Sequence, residues 1–348
     1  MANPIKVMVV DDSAFMRRAI VGMLNADPAI QVVGEGINGA DALKKIKTLQ
    51  PDIVTMDIEM PVMTGLEALK VIMKENPIPV IMISSLTEEG AKETIKALEY
   101  GAVDYIPKQI TGNIAGIVNI KEELIKKIKT LGVKKIKFTQ PAGAVKPYST
   151  IERPSSHGRS KINVVVIGAS TGGPKSLQEV IPRLPKNLPC GVLLIQHMLP
   201  LFTASFAERM NEISQIEVRE AKEGDIVKPG LVLISPGGFH LTVRRRIGDE
   251  VQVKLSKEPP MLHIPSVDIG MTSVVEAYKE HTLGVILTGM GQDGKEGIMA
   301  IRKANGRTIA QDEETSVIFG MPKAAIESGC VDKIVPLGKM AEEIVNAL

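Results

Sequence analysis

The chain has 348 residues, of which 44% are hydrophobic and 24% charged, an ordinary globular composition at a length that suits two domains better than one. Forty-two Lys and Arg against 40 Asp and Glu leave a formal charge of +2, and aromatic residues make up 3% with no Trp, which argues against a nucleic-acid surface. The two cysteines, Cys190 and Cys330, can build neither a disulfide framework nor a thiolate metal cage. No apolar run reaches the roughly 18 residues of a membrane span, and the start lacks the pattern of a secretory leader, so a cytoplasmic location is expected.

In chain order, Ile5–Val10, Ile30–Gly34, Asp52–Met56, Val80–Ile83 and Val103–Ile106 read as short strands, the first and fourth nearly all apolar. Runs of this kind suit parallel strands covered by helices on both faces. Helical stripes lie between them: Met16, Ile20, Met23 and Leu24; Leu66, Leu69, Ile72 and Met73; Ile95 and Leu98. Gly101 is well placed to end a helix. The alternation predicts a doubly wound, flavodoxin-like α/β sheet over residues 1–131.

Residues 132–160 are rich in Pro, Ser, Gly and basic residues and lack the apolar surface to offset ordering, so they read as a flexible linker. A second α/β alternation then occupies 161–348. Asn163–Ile167, Gly191–Ile195, Leu231–Ile234 and Gly284–Leu287 read as buried strands, with helices at Pro174–Leu184 and Phe202–Ile213. Thr242–Arg246 and Val251–Leu255 flank Ile247, Gly248, Asp249 and Glu250 as a β-hairpin. The second half is thus expected to be a Rossmann-like parallel sheet with a hairpin.

In the first half, Asp11 and Asp12 follow the first strand, and Asp57 ends the strand in VTMDIEMP. The carboxyl ends of strands in such a sheet converge on one crevice, where three carboxylates need a hard cation such as Mg²⁺. Ser84 and Lys108 close the next two strands. A carboxylate nucleophile, a metal, a hydroxyl and a Lys together make a phosphoryl-transfer site. Residues 4–125 resemble the response-regulator receiver family. The resemblance implies that Asp57 takes a phosphoryl group from a histidine kinase and that Asp11 and Asp12 join it in holding Mg²⁺. It further implies that Ser84 and Lys108 contact the phosphoryl oxygens and that Tyr105 is the switch aromatic; neighbouring Ser85 is a second candidate hydroxyl.

In the second half, Gly168-Ala169-Ser170-Thr171-Gly172-Gly173-Pro174 follows a strand and opens a helix. That fits a G-x-S-x-G nucleophile elbow, with backbone N–H groups and a helix N-terminus near a developing oxyanion. A phosphate-cradling loop and a plain tight turn are rival readings, although the pattern is not G-x-G-x-x-G. Serine needs a base within hydrogen-bond reach. Of five histidines, only His197 directly follows a buried strand; His157 lies in the linker, His263 in a Pro-flanked loop, His240 after SPGGF and His281 on a connection. Asp293, after the strand GVIL, is the favoured carboxylate, with Asp268, Asp225 and Asp312 as competitors.

The second half resembles the catalytic domain of the CheB family of chemotaxis protein-glutamate methylesterases. The segments that carry it are IGASTGGP, QHM, SPGGFH, PSVD, LTGMGQDG and QDEETSVIFGMPKAA, in family order over about 161–345. The resemblance implies a triad of Ser170, His197 and Asp293, with Thr171 and Met290 lining the site. With the family's activity, the expected reaction is hydrolysis of glutamyl methyl esters on methyl-accepting chemoreceptors and deamidation of receptor glutamines; phosphorylation is expected to move the receiver off the esterase mouth. The alternative from another class is a non-enzymatic response regulator whose output domain binds a nucleotide or a partner.

Overall fold

The computed structural model describes residues 3–108, 114–132, 161–246, 248, 250–261 and 263–348. The expected linker, except its first residue, lies outside the described residues, as do His157 within it and Ile247 and Asp249 of the hairpin turn. The chain divides into two compact units, Met1–Gly143 and Ala144–Leu348.

In the first unit β1 (Ile5–Val10), α1 (Ala14–Leu24), β2 (Ile30–Gly36), α2 (Gly39–Leu49), β3 (Ile53–Asp57), α3 (Gly65–Glu75), β4 (Val80–Ser84), α4 (Glu88–Glu99), β5 (Asp104–Pro107) and α5 (Ile114–Leu131) alternate. All strand pairs are parallel, in the order β2-β1-β3-β4-β5. β3 and β4 are buried at every residue, as strands covered on both faces must be. Local chemistry starts the helices: Ser13, Thr64 and Thr87 each accept a backbone N–H from the first turn of α1, α3 and α4, and Glu67 completes a capping box with Thr64. The order of the strands turns at β1, so the residues after β1 and β3 share one crevice.

The second unit contains β6 (Val164–Ala169), α6 (Gly173–Val180), β7 (Gly191–Gln196), α7 (Phe202–Ile213), β8 (Glu217–Glu220), β9 (Leu231–Ile234), β10 (His240–Arg245), β11 (Val251–Ser256), α8 (Val267–Tyr278), β12 (Thr282–Ile286), α9 (Lys295–Lys303), β13 (Arg307–Gln311), α10 (Met321–Glu327), β14 (Lys333–Val335) and α11 (Leu337–Asn346). Seven parallel strands run β14-β13-β12-β6-β7-β9-β8, and β10 and β11 pair antiparallel as a separate hairpin. Val164, Val166, Leu193 and Ile195 of the sheet pack with Val267, Met271 and Val274 of α8, Ile298 and Ile301 of α9, and Leu241 and Val253 of the hairpin. The chain leaves β6 first toward β7 and later returns on its other side at β12. The carboxyl ends of β7, β6 and β12 therefore lie side by side.

Three strands escape the sequence pattern. β8 reads EVRE and lies at an edge, where charges are tolerated. β14 is a three-residue edge strand. β13 is interior but carries polar residues, because Thr308 Oγ1 bonds the Cys330 carbonyl at 2.7 Å and Gln311 Oε1 accepts the Thr288 N–H at 2.8 Å. Those partners lie 22 and 23 residues away, so no local pattern announces them.

Candidate active site

Ser170 is the first residue after β6. Its N–H donates to the Thr288 carbonyl at 3.1 Å, and its own carbonyl accepts from Gly173 at 2.7 Å, closing the turn into α6. The left-handed residue of this turn is Gly172, with φ of 76°, and not Ser170 itself. A side chain at Gly172 would both strain the backbone and place Cβ 2.6 Å from Val317. The strand-to-helix turn thus has the expected sequence pattern, with its strain one step beyond the serine's neighbour. On the other flank Gly289 runs so close that an added Cβ would lie 2.9 Å from Ser170 Cβ.

His197 follows β7 and donates its N–H to Ala169 at 3.0 Å. Its Nδ1 lies 3.2 Å from Ser170 Oγ and its Nε2 lies 2.8 Å from Asp293 Oδ2. An ionised carboxylate only accepts, so Nε2 carries the proton and Nδ1 offers its lone pair to the serine hydroxyl. Gln196 braces the junction, donating from Nε2 to the carbonyls of Ser170 at 3.0 Å and His197 at 2.9 Å.

Asp293 sits at the N-terminus of α8, where it accepts from Val267 N at 2.7 Å, Asp268 N at 2.9 Å and Ser266 Oγ at 3.0 Å. Burial opposes its ionisation. The bond and charge of His197 and the two backbone N–H groups outweigh that burial and hold the carboxyl well below its usual range. The competing carboxylates are engaged elsewhere. Asp268 accepts from Gly297 N at 2.8 Å, Asp225 forks with Arg219 at 2.5 and 2.9 Å, and Asp312 caps Thr315. Thr171 is buried and its carbonyl accepts from Thr288 Oγ1 at 3.1 Å; Met290 is half-buried, next to Gly289.

Two contacts had no role in the sequence reading. His263 stacks on His197, with centroids 4.7 Å apart and planes 16° from parallel. Ser266 and Asp268 belong to the PSVD segment, which carries the resemblance without revealing that it cradles Asp293. His240 is fully buried, 2.9 Å from the Pro259 carbonyl through Nε2, and accepts Ser266 N through Nδ1 at 3.1 Å. It supports the loop bearing His263. His281 lies against the Lys161 carbonyl, away from this rim.

In the first unit, carboxylate oxygens of Asp11, Asp12 and Asp57 lie within 4.8 Å of one another, Asp11 and Asp57 buried and Asp12 exposed. Lys108 Nζ lies 2.6 Å from Asp57 Oδ2 and 3.2 Å from Asp11 Oδ2. Burial, with the charge of Asp11 adding to it, pushes Asp57 up to about 6 even though Lys108 pulls the other way. This pair of buried, mutually repelling carboxylates suits a hard divalent cation. The Ser84 hydroxyl is turned toward α4, 2.6 Å from Thr94 Oγ1 and 3.2 Å from the Gly90 carbonyl. Tyr105 is buried, and its carbonyl accepts from Lys127 Nζ at 2.9 Å, which also pairs with Asp104 at 3.0 Å. The structure thus gathers Asp11, Asp12, Asp57 and Lys108, while Ser84 and Tyr105 bond to the neighbouring helices.

Residues 165–344 match the CheB methylesterase family and residues 7–115 match the response regulator receiver domain. A protein-glutamate methylesterase/protein-glutamine glutaminase of Pyrococcus abyssi is 47% identical over 99% of this chain and 94% of its own length. A protein of the same description from Halalkalibacterium halodurans is 44% identical over 99% of both chains. Among solved structures, the Thermotoga maritima CheB methylesterase catalytic domain is similar with a TM-score of 0.53 and 44% identity, covering 54% of this chain and all of that one. No helix among the described residues is long and apolar enough to cross a membrane. With both matches in one chain and identity running through its whole length, the chain belongs to the CheB methylesterase family, its esterase domain preceded by a response-regulator receiver domain.

Proposed function

We propose that this chain is a phosphorylation-controlled serine esterase that hydrolyses glutamyl γ-methyl esters on chemoreceptors. The observation that carries the reading is the hydrogen-bonded series Ser170–His197–Asp293, anchored on α8. Ser170 Oγ attacks the ester carbonyl carbon as its proton passes to Nδ1 of His197. Asp293 stabilises the resulting imidazolium and fixes the ring. Collapse of the tetrahedral adduct breaks the carbon–methoxy bond, and His197 returns the proton to the departing methanol. Water then attacks the acyl-serine by the reverse proton path and frees the glutamate.

The N–H of Met290, which follows Gly289 beside Ser170 and has no hydrogen-bond partner among the described residues, is our candidate oxyanion donor. Amides and esters share the tetrahedral path, and the relatives are described also as glutaminases, so release of ammonia from glutamine belongs to the same proposal. In the receiver, Asp57 would accept the phosphoryl group of a kinase phosphohistidine, with Lys108 neutralising the transferred charge. A Mg²⁺ held by Asp11, Asp12 and Asp57 would supply the remaining charge neutralisation. Substrate and phosphodonor both belong to cytoplasmic signalling.

The test is methanol release from methylated receptor with and without a phosphodonor. The reading expects stimulation that Asp57→Asn removes and turnover that Ser170→Ala eliminates. Undiminished turnover by Ser170→Ala would refute it.

A further inference from the structure

Asp268 and Asp293 exchange helix ends. Asp293 precedes α9 yet caps α8, accepting the N–H groups of Val267 and Asp268. Asp268 stands in the first turn of α8 yet caps α9, accepting Gly297 N at 2.8 Å. Each carboxylate therefore sits in the positive end of the other's helix, the Asp268 N–H bonds Asp293 Oδ1 at 2.9 Å, and the two charges oppose one another. Moving either one shifts the start of both helices, including the oxygen that orients His197.

We infer that Asp268 is a positioning residue of the esterase. Ionised, it holds the start of α9, from which Asp293 reaches across to α8, and adds a second negative charge behind the His197 imidazolium. Protonated, it donates to Asp293 and competes with the His197 N–H for that carboxylate. The inference rests on the hydrolase reading above. Its chemical setting is consistent: burial, chiefly, with the charge of Asp293 adding and the Gly297 N–H opposing, pushes Asp268 up to about 6. The groups facing it are Asp293 and the backbone at Gly294 and Gly297 from the start of α9. Beyond Asp293 lies His197 at the end of β7, with His263 stacked on it. Ser266 is on its own helix. Asp293 is held ionised by His197 and the α8 N–H groups while burial raises Asp268, so Asp268 is the carboxylate of the pair that takes up a proton first as the pH falls.

Asp268→Asn keeps the shape and the acceptor for Gly297 but removes the charge, whereas Asp268→Ala removes both. In the full chain, Asp268→Asn should melt no lower than the parent at pH 7.5, since it buries a neutral group in place of a charged one. Its plateau kcat for methanol release should fall about tenfold at unchanged KM, the size of one lost charge interaction near a developing imidazolium. The acid limb of its pH profile should lose one ionisation. Ring-¹⁵N shifts of His197, compared at one alkaline pH, should differ between the parent and Asp268→Asn because the charge behind Asp293 is gone, whatever the turnover. Asp268→Ala should lose both rate and melting temperature.

A parental plateau and limb in Asp268→Asn, a rate loss matched by a fall in melting temperature, or unchanged His197 ring shifts would each overturn the inference. Retained turnover in Ser170→Ala would instead overturn the hydrolase reading, and the His197 spectra would still decide the role of Asp268.

Discussion

The hydroxyl of Ser266 donates to Asp293 Oδ1 at 3.0 Å, and the Ser266 oxygen accepts the N–H of Ile269 at 3.4 Å. One buried side chain thus starts α8 and helps aim the carboxylate that holds His197. Ser266→Ala removes both functions. It should cost about 1 kcal/mol of stability as a lost cap and lower kcat several-fold, while Ser266→Thr restores most of each. Thermal melts and methanol release measured on the two variants check this.

Gly289→Ala tests how tightly Ser170 is enclosed. The new Cβ would lie 2.9 Å from Ser170 Cβ and 2.2 Å from Met321 Sδ, so the β12–α9 turn must shift. A destabilisation of about 1–3 kcal/mol is expected, with kcat reduced by more than the melt explains. Parental activity would mean that the turn yields without moving Ser170.

Thr94→Val probes the receiver. It removes the 2.6 Å contact that holds the Ser84 hydroxyl toward α4 and leaves the buried Gly90 carbonyl with one partner fewer. Stability should drop by about 1–2 kcal/mol. With that hold weakened and only the 3.2 Å bonds of Ser84 to the Gly90 and Ser85 carbonyls left, an acyl-phosphate mimic, beryllofluoride with Mg²⁺, should bind several-fold more tightly, as read by titration.

Asp225 gives a stability prediction with a definite sign. Burial works against its ionisation, but the forked Arg219 bonds and the Lys222 N–H outweigh it and lower the carboxyl below its usual range. A depressed folded-state pKa adds stability above the unfolded value near 4 and loses it as pH falls through the folded value. Asp225→Asn should therefore melt below the parent at pH 7, with the gap narrowing as the pH falls below the unfolded value and through the depressed folded one. A gap constant with pH would sink the assignment.

Chelating divalent cations should separate the two units. With EDTA, phosphoryl uptake at Asp57 should be lost, because Asp11 and Asp57 would face each other with Lys108 as their shared cation. Basal methanol release should be unchanged, since the Ser170 rim gathers a hydroxyl, an imidazole and a carboxylate that act without metal. Phosphate-release and methanol assays on one preparation decide the matter.

Much of this molecule was legible before any coordinate. Apolar runs such as VVVI in β6 and VLLI in β7 mark strands because a strand covered on both faces must be apolar throughout. Ser170 and His197 stand out because each directly follows such a strand; the pattern puts Asp293 at a strand end too, but β12 stops at Ile286 and Asp293 lies at the far end of the turn into α9. β8, β13 and β14 stayed hidden, two at edges where charges are tolerated and one with polar residues bonded to distant partners. The sequence also could not say which ring nitrogen of His197 meets the serine, nor that His263 covers the ring.

Local chemistry therefore determined the alternation of strands and helices, the family and the residues at the strand tips, because each depends on side chains adjacent in the chain. What only the tertiary structure decided is how distant segments complete one another. Asp293 is aimed by a helix that begins 26 residues before it, and Asp268 reaches forward 29 residues to cap the next helix. Ser84 is held by Thr94 rather than by the acidic crevice. Such contacts join groups that no periodicity links, and they exist only once the sheet has brought its strand ends to a common rim.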